Sequence, residues 1–114
     1  MNYQDDICCC QKQIEMLEDE LCSLKEEQSF EDELECRTFE MIRCARLSLE
    51  RLFAQWGDCA DIHGIQLYVD ETSKRALEEL DRYRNDTEER FKSVINRLNE
   101  RKDELVRIKK NIGN

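Results

Sequence analysis

Apolar residues recur along this chain at alternating intervals of three and four. The first run is Ile7, Cys10, Ile14, Leu17, Leu21 and Leu24. That spacing keeps one stripe of a helix turned to one side, as in coiled coils. The stripe lapses over 25–33, which reads KEEQSFEDE, where Phe30 is the one large apolar side chain. No glycine or proline breaks the chain there, so the lapse predicts a register change within one continuous helix, or a local loosening. The stripe resumes as Leu34, Thr38, Met41, Ala45, Ser48 and Leu52. A second row runs beside it: Phe39, Ile42, Leu49, Phe53 and Trp56. One row is enough for a seam between two helices. The second is surplus, covered either by a partner or by the returning helix and the turn.

The pattern then breaks at Gly57-Asp58-Cys59-Ala60-Asp61-Ile62-His63-Gly64. Gly57 suits a left-handed helix end, and Asp58 or Asp61 suits the cap of whatever follows. Beyond it a second stripe runs through Ala76, Leu80, Tyr83, Thr87, Phe91, Val94, Leu98, Leu105, Ile108 and Ile112, with Arg101 filling one position. Ile65, Tyr68, Val69 and Thr72 form a looser apolar group near the break. The chain contains no proline, and its third glycine, Gly113, is one residue from the end. The predicted fold is all-α: a single antiparallel two-helix hairpin with a short tip loop. Helix one runs from about 5 to 56, capped by Asp5 or Asp6. The tip is 57–64, and helix two covers about 66–112. Two stripes meeting in one seam bury little apolar area for 114 residues, so modest stability in isolation and a gain on binding are expected.

Charge sharpens the topology. The chain is 39% charged with a net charge of −9, which disfavours nucleic acid as a partner. Residues 1–40 hold 13 acidic and 3 basic side chains, whereas residues 90–114 hold 3 acidic and 8 basic ones. An antiparallel hairpin lays these segments side by side, so the charges favour that pairing over parallel self-association. Each exposed pair is worth only about 0–1 kcal/mol, so the asymmetry selects topology more than it adds stability. No apolar run approaches the ~20 residues needed to span a bilayer. The acidic start, Met1-Asn2-Tyr3-Gln4-Asp5-Asp6, lacks the basic and apolar regions of a signal peptide. A cytoplasmic protein is expected, with co-export beside a client as the alternative.

Candidate chemistry is thin. Of the seven cysteines, Cys8, Cys9, Cys10, Cys22, Cys36, Cys44 and Cys59, three are consecutive and point about 100° apart on a helix, which cannot converge on one metal. The odd count and the lack of a repeated C-x-x-C pair favour free thiols over a zinc site or a disulfide framework. Cys10 falls on the stripe and serves as a small apolar residue. Cys8, Cys22 and Cys36 share one row at intervals of fourteen, a pattern with no functional account. The single histidine, His63, lies in the tip. No phosphate-binding glycine loop or nucleophile elbow is present, so no catalytic residue, metal or cofactor is expected.

Trp56-Gly57-Asp58 at the turn of a helical hairpin resembles the tip of the WXG-type proteins of type VII secretion, although here glycine follows tryptophan directly. Those proteins carry an export signal, an aromatic residue followed four positions later by an acidic one. Tyr83 is followed by Thr87 at that distance, and Phe91 by Ile95. The chain is more similar to a sister group, the small helical proteins encoded beside LXG-type toxins of Gram-positive bacteria. The resemblance rests on the acidic first arm, on Leu52-Phe53-Ala54-Gln55-Trp56-Gly57-Asp58, and on the charged ending Leu105-Val106-Arg107-Ile108-Lys109-Lys110. It implies a targeting chaperone that binds the helical N-terminal domain of a cognate toxin and helps deliver it to a type VII apparatus, beside a WXG-like helper that carries the export signal. Residues predicted to contact the partner are Phe39, Ile42, Leu49, Phe53, Trp56, Gly57, Asp58 and Tyr68, with Leu49, Phe53 and Trp56 as anchors. Two other readings of the same pattern are a self-associating structural hairpin, dimeric without a foreign partner, and a chaperone of another secretion or phage system.

Overall fold

A computed structural model describes residues 3–113. The chain forms two α-helices, α1 (Tyr3–Trp56) and α2 (Ala60–Gly113), joined by a turn of three residues. The described residues contain no strand. The result is the expected all-α two-helix hairpin. Its contacts divide into two packing units. In one, residues 3–28 of α1 pair with 86–113 of α2, and the other comprises residues 29–85.

In the unit of 3–28 and 86–113 the predicted stripe is the seam. Leu24 and Val94 are almost wholly buried, and Cys10 and Leu98 are buried beside them. Ile7, Ile14, Leu17, Leu21, Phe91, Leu105 and Ile108 are half-buried, as expected where a single seam covers one side of each residue. Cys10 suits its place because its small thiol donates to the carbonyl oxygen of Arg101 on the opposite helix at 3.1 Å. Charged side chains close the seam on both flanks. Arg90 meets Glu27 at 3.2 Å, Arg97 meets Glu20 at 3.7 Å, and Lys102 meets Glu18 at 4.0 Å. These ion pairs join the acidic arm to the basic one.

The unit of 29–85 departs from expectation. Its α1 seam is Glu31, Glu35, Thr38, Ile42, Ala45, Leu49 and Leu52. This is the regular continuation of the spacing that began at Ile7, so α1 has no register change near Gln28. The lapse in apolar character is polar residues occupying seam positions. Arg84 of α2 answers them, reaching Asp32 at 2.5 Å and Glu35 at 2.8 Å, with its Nε buried and unbonded. The irregularity lies in α2 instead. Its buried positions step by four from Ala76 to Leu80 and by four again to Arg84, a local insertion in the three–four alternation. Tyr83, predicted for the stripe, is consequently exposed, as is Ile112 near the end of α2.

The tip is shorter than predicted. Gly57 has φ of 72°, and its N–H bonds to the carbonyl of Phe53 at 2.9 Å, the single-bond left-handed helix end. Helix α2 starts at Ala60 rather than near Gln66. His63 N–H to Cys59 O, at 3.1 Å, is its opening bond. Gly64 sits inside α2 without a positive φ, as helices tolerate for about 1 kcal/mol. Ile62 is buried at 5% exposure, and its burial draws this first turn onto the seam. Asp5 and Asp6 lie in the first turn of α1 rather than capping it, a position that still suits a negative charge.

Candidate partner interface

The exposed apolar side chains of the unit of 29–85 define the candidate surface. The sequence separates two apolar rows on α1, and the structure draws its seam from both: Thr38, Ala45 and Leu52 of the predicted seam stay in it, while Phe39 and Trp56 of the second row stay exposed. Ile42 and Leu49, predicted to face a partner, belong to the seam, and Leu49 is only 6% exposed. Leu34 and Met41, predicted for the seam, face outward, Met41 at 73% exposure. The reason is the unbroken register of α1. Counting by threes and fours from Leu24 leads through Gln28 and Glu31 to Ile42 and Leu49, whereas starting afresh at Leu34 shifts the row.

Beside the seam lies an apolar groove of about 330 Å³. Thr38, Ile42 and Ala45 of α1 and Val69, Ser73 and Ala76 of α2 form its floor, and Met41, Tyr68 and Thr72 stand at its edge. The groove exists because small side chains occupy seam positions in both helices, leaving the flank unfilled. Thr38 turns its hydroxyl back to the Leu34 carbonyl at 2.8 Å, which satisfies that hydroxyl within its own helix. Tyr68, a predicted contact residue, is 70% exposed. Phe30, Leu34 and Ile65 are also exposed in this unit.

Phe39 lies off this flank and is 51% exposed. Phe53 is half-buried and meets the His63 ring edge-on, with centroids 5.6 Å apart. His63 Nε2 is hydrogen-bonded to Asp58 Oδ1, so the tautomer donating from Nε2 is the one this contact selects. Asp58 is thereby engaged in fixing the tip, and Gly57 in turning it. Trp56 is left over: it ends α1 and remains 69% exposed.

The hydrogen bond from Arg43 and then its positive charge hold the Glu40 carboxyl below its ordinary range. Among the described residues no group of three or more His, Cys, Asp or Glu side chains is placed to hold a metal ion, and all seven cysteines are free. No helix among the described residues is long and apolar enough to cross a membrane. No protein-family model, curated protein or solved structure matches the chain.

Proposed function

We propose that this protein is a non-catalytic adaptor that packs lengthwise on another helical protein. The observation that carries this reading is the apolar flank of the unit of 29–85, where Met41 and Tyr68 stand exposed beside the groove. Two helices can cover one another along a single seam only, and an apolar flank beside that seam is covered when further helices complete a bundle with a shared core.

The resemblance of the tip and arms to proteins encoded beside LXG-type toxins supplies the proposed client. That client is the helical N-terminal domain of a cognate toxin, delivered to a type VII secretion apparatus, with a WXG-like helper as a third component. Leu49 leaves the proposed anchors because it is buried in the seam, and Trp56 remains, joined by Tyr68, because large exposed aromatics make effective interface anchors.

Co-expression of the tagged protein with the helical domain of a toxin encoded beside it tests the proposal. A complex that survives size-exclusion chromatography near one-to-one is expected. A protein that elutes alone at dimeric mass, with the toxin domain elsewhere, overturns the reading in favour of a self-associating hairpin.

A further inference from the structure

The groove of the unit of 29–85 is bordered by more arginines than carboxylates. On α1 the row Phe30, Arg37, Cys44 and Arg51 repeats every seven residues alongside Leu34, Met41 and Ser48, so both rows share the exposed flank. On α2 the equivalent rows are Ile65, Thr72 and Glu79, and beside it Tyr68, Arg75 and Arg82. The charged residues in these rows are Arg37, Arg51, Arg75, Arg82 and Glu79, a local excess of three positive charges in a chain whose net charge is −9. Arg37 pairs with Glu33 at an exposed site, and Arg51 and Arg75 make no ion pair among the described residues. Glu79 stands one turn beyond Ala76 and is the carboxylate of these rows.

We infer that the groove receives an amphipathic helix from a partner protein whose apolar stripe is bordered by carboxylates. This rests on the adaptor reading and adds the chemistry of the docking helix. The apolar floor takes alternate turns of that stripe. Arg37 and Arg75 lie one turn or less from groove-edge residues Met41 and Thr72 on the two helices, placing a cation on either side of an incoming helix. Arg51 lies fourteen residues from Arg37, about 21 Å along α1 at 1.5 Å per residue. A docking helix of four turns therefore meets arginine along its length, and its bordering residues must be acidic or neutral to approach. A second copy of this chain is the poorer occupant. Its acidic stretch carries its apolar stripe at Ile14, Leu17, Leu21 and Leu24, and that stripe is already covered within its own hairpin. Complementary charge of this kind chooses the partner and its register more than it supplies affinity.

The test uses the full chain with its methionine methyl groups labelled with carbon-13. Met41 reports on the groove, and Met16, exposed in the other unit, serves as the internal reference. Three stapled helical peptides of about 18 residues, with one leucine stripe bordered by Glu, by Lys or by Gln, are titrated in turn. The Glu-bordered peptide should shift Met41 and leave Met16 in place, binding about tenfold tighter than the Lys-bordered one. The double variant Arg37→Glu with Arg75→Glu should reverse that order while the circular dichroism stays unchanged. Equal binding of the three peptides overturns the inference, as does binding of none, a shift at Met16 instead, or a Met41 signal that moves with protein concentration alone. The titration needs no toxin domain. If it fails while the co-expressed complex forms, the adaptor reading survives without this groove. If it succeeds while that complex is absent, the groove stands and the toxin is not the client.

Discussion

Trp56 and Leu24 show how much a residue's role depends on what covers it. Leu24 is almost wholly enclosed in its seam, so Leu24→Ala removes buried apolar contact and leaves a cavity. Urea unfolding should show a loss of about 2–3 kcal/mol, toward the low end for buried leucines because a two-helix seam can partly collapse. Trp56 is large but exposed at the end of α1. Trp56→Ala should change stability by less than about 0.5 kcal/mol and leave helicity intact, while weakening a client complex that uses the tip. Unchanged affinity in a binding titration would remove Trp56 from the interface. Glu40 makes a smaller point. Its lowered carboxyl pKa comes from Arg43 one turn away on the same exposed surface. Any stability from this pair is present above the ordinary carboxylate range and disappears as pH falls through the lowered value. Arg43→Ala should therefore move the Glu40 titration upward in a carboxyl-carbon NMR experiment.

At the scale of the element, the turn separates two glycines that the sequence presents alike. Gly57 has a positive φ, where a β-carbon is strained even though nothing lies within 4 Å of it. Gly64 lies in the exposed part of α2 with an ordinary helical φ and open space around it. Gly57→Ala should cost about 1 kcal/mol or more, and Gly64→Ala should stabilise by about 0.5–1 kcal/mol through helix propensity and a less flexible unfolded chain. Opposite signs in paired thermal melts are the expected result. Two losses would indicate that Gly64 serves some purpose beyond continuing the helix. Local preference also makes the tip look longer than it is, since α2 begins at Ala60. A glycine seven residues beyond another marks a loop when only local preference is considered. Burial of Ile62 and the Asp58–His63 contact continue the helix through it.

For the molecule as a whole, the opposed charges of the two ends favour an antiparallel arrangement. In the unit of 3–28 and 86–113 the pairs Arg90–Glu27, Arg97–Glu20 and Lys102–Glu18 have side chains roughly half exposed. Each is open to salt, and together they contribute on the order of 1 kcal/mol. Raising sodium chloride from low concentration to about 0.5 M should lower the melting temperature by a few degrees. A larger fall would mean that the charges, rather than the apolar seam, hold the arms together. No change would mean that apolar burial alone selects the antiparallel pairing.

The alternation of apolar positions, the absence of proline and the placing of Gly57 were sufficient to specify two helices, their antiparallel return and the seam from Ile7 to Leu24 with Phe91 to Ile108. These features are set by local periodicity and backbone preference, both of which can be counted along the chain. The seam of the other unit was not legible in this way. Glu31, Glu35 and Arg84 occupy seam positions, and Arg84 pairs with Asp32 and Glu35 on the opposite helix, far away in sequence, so a stretch that looks like a lapse keeps perfect step. That unbroken step decided which members of the two apolar rows are buried. It moved Ile42 and Leu49 inward, set Met41 and Leu34 outward, and left small residues at the seam to open a groove. Periodicity along one helix places a residue on a face; only the opposing helix determines which face is covered.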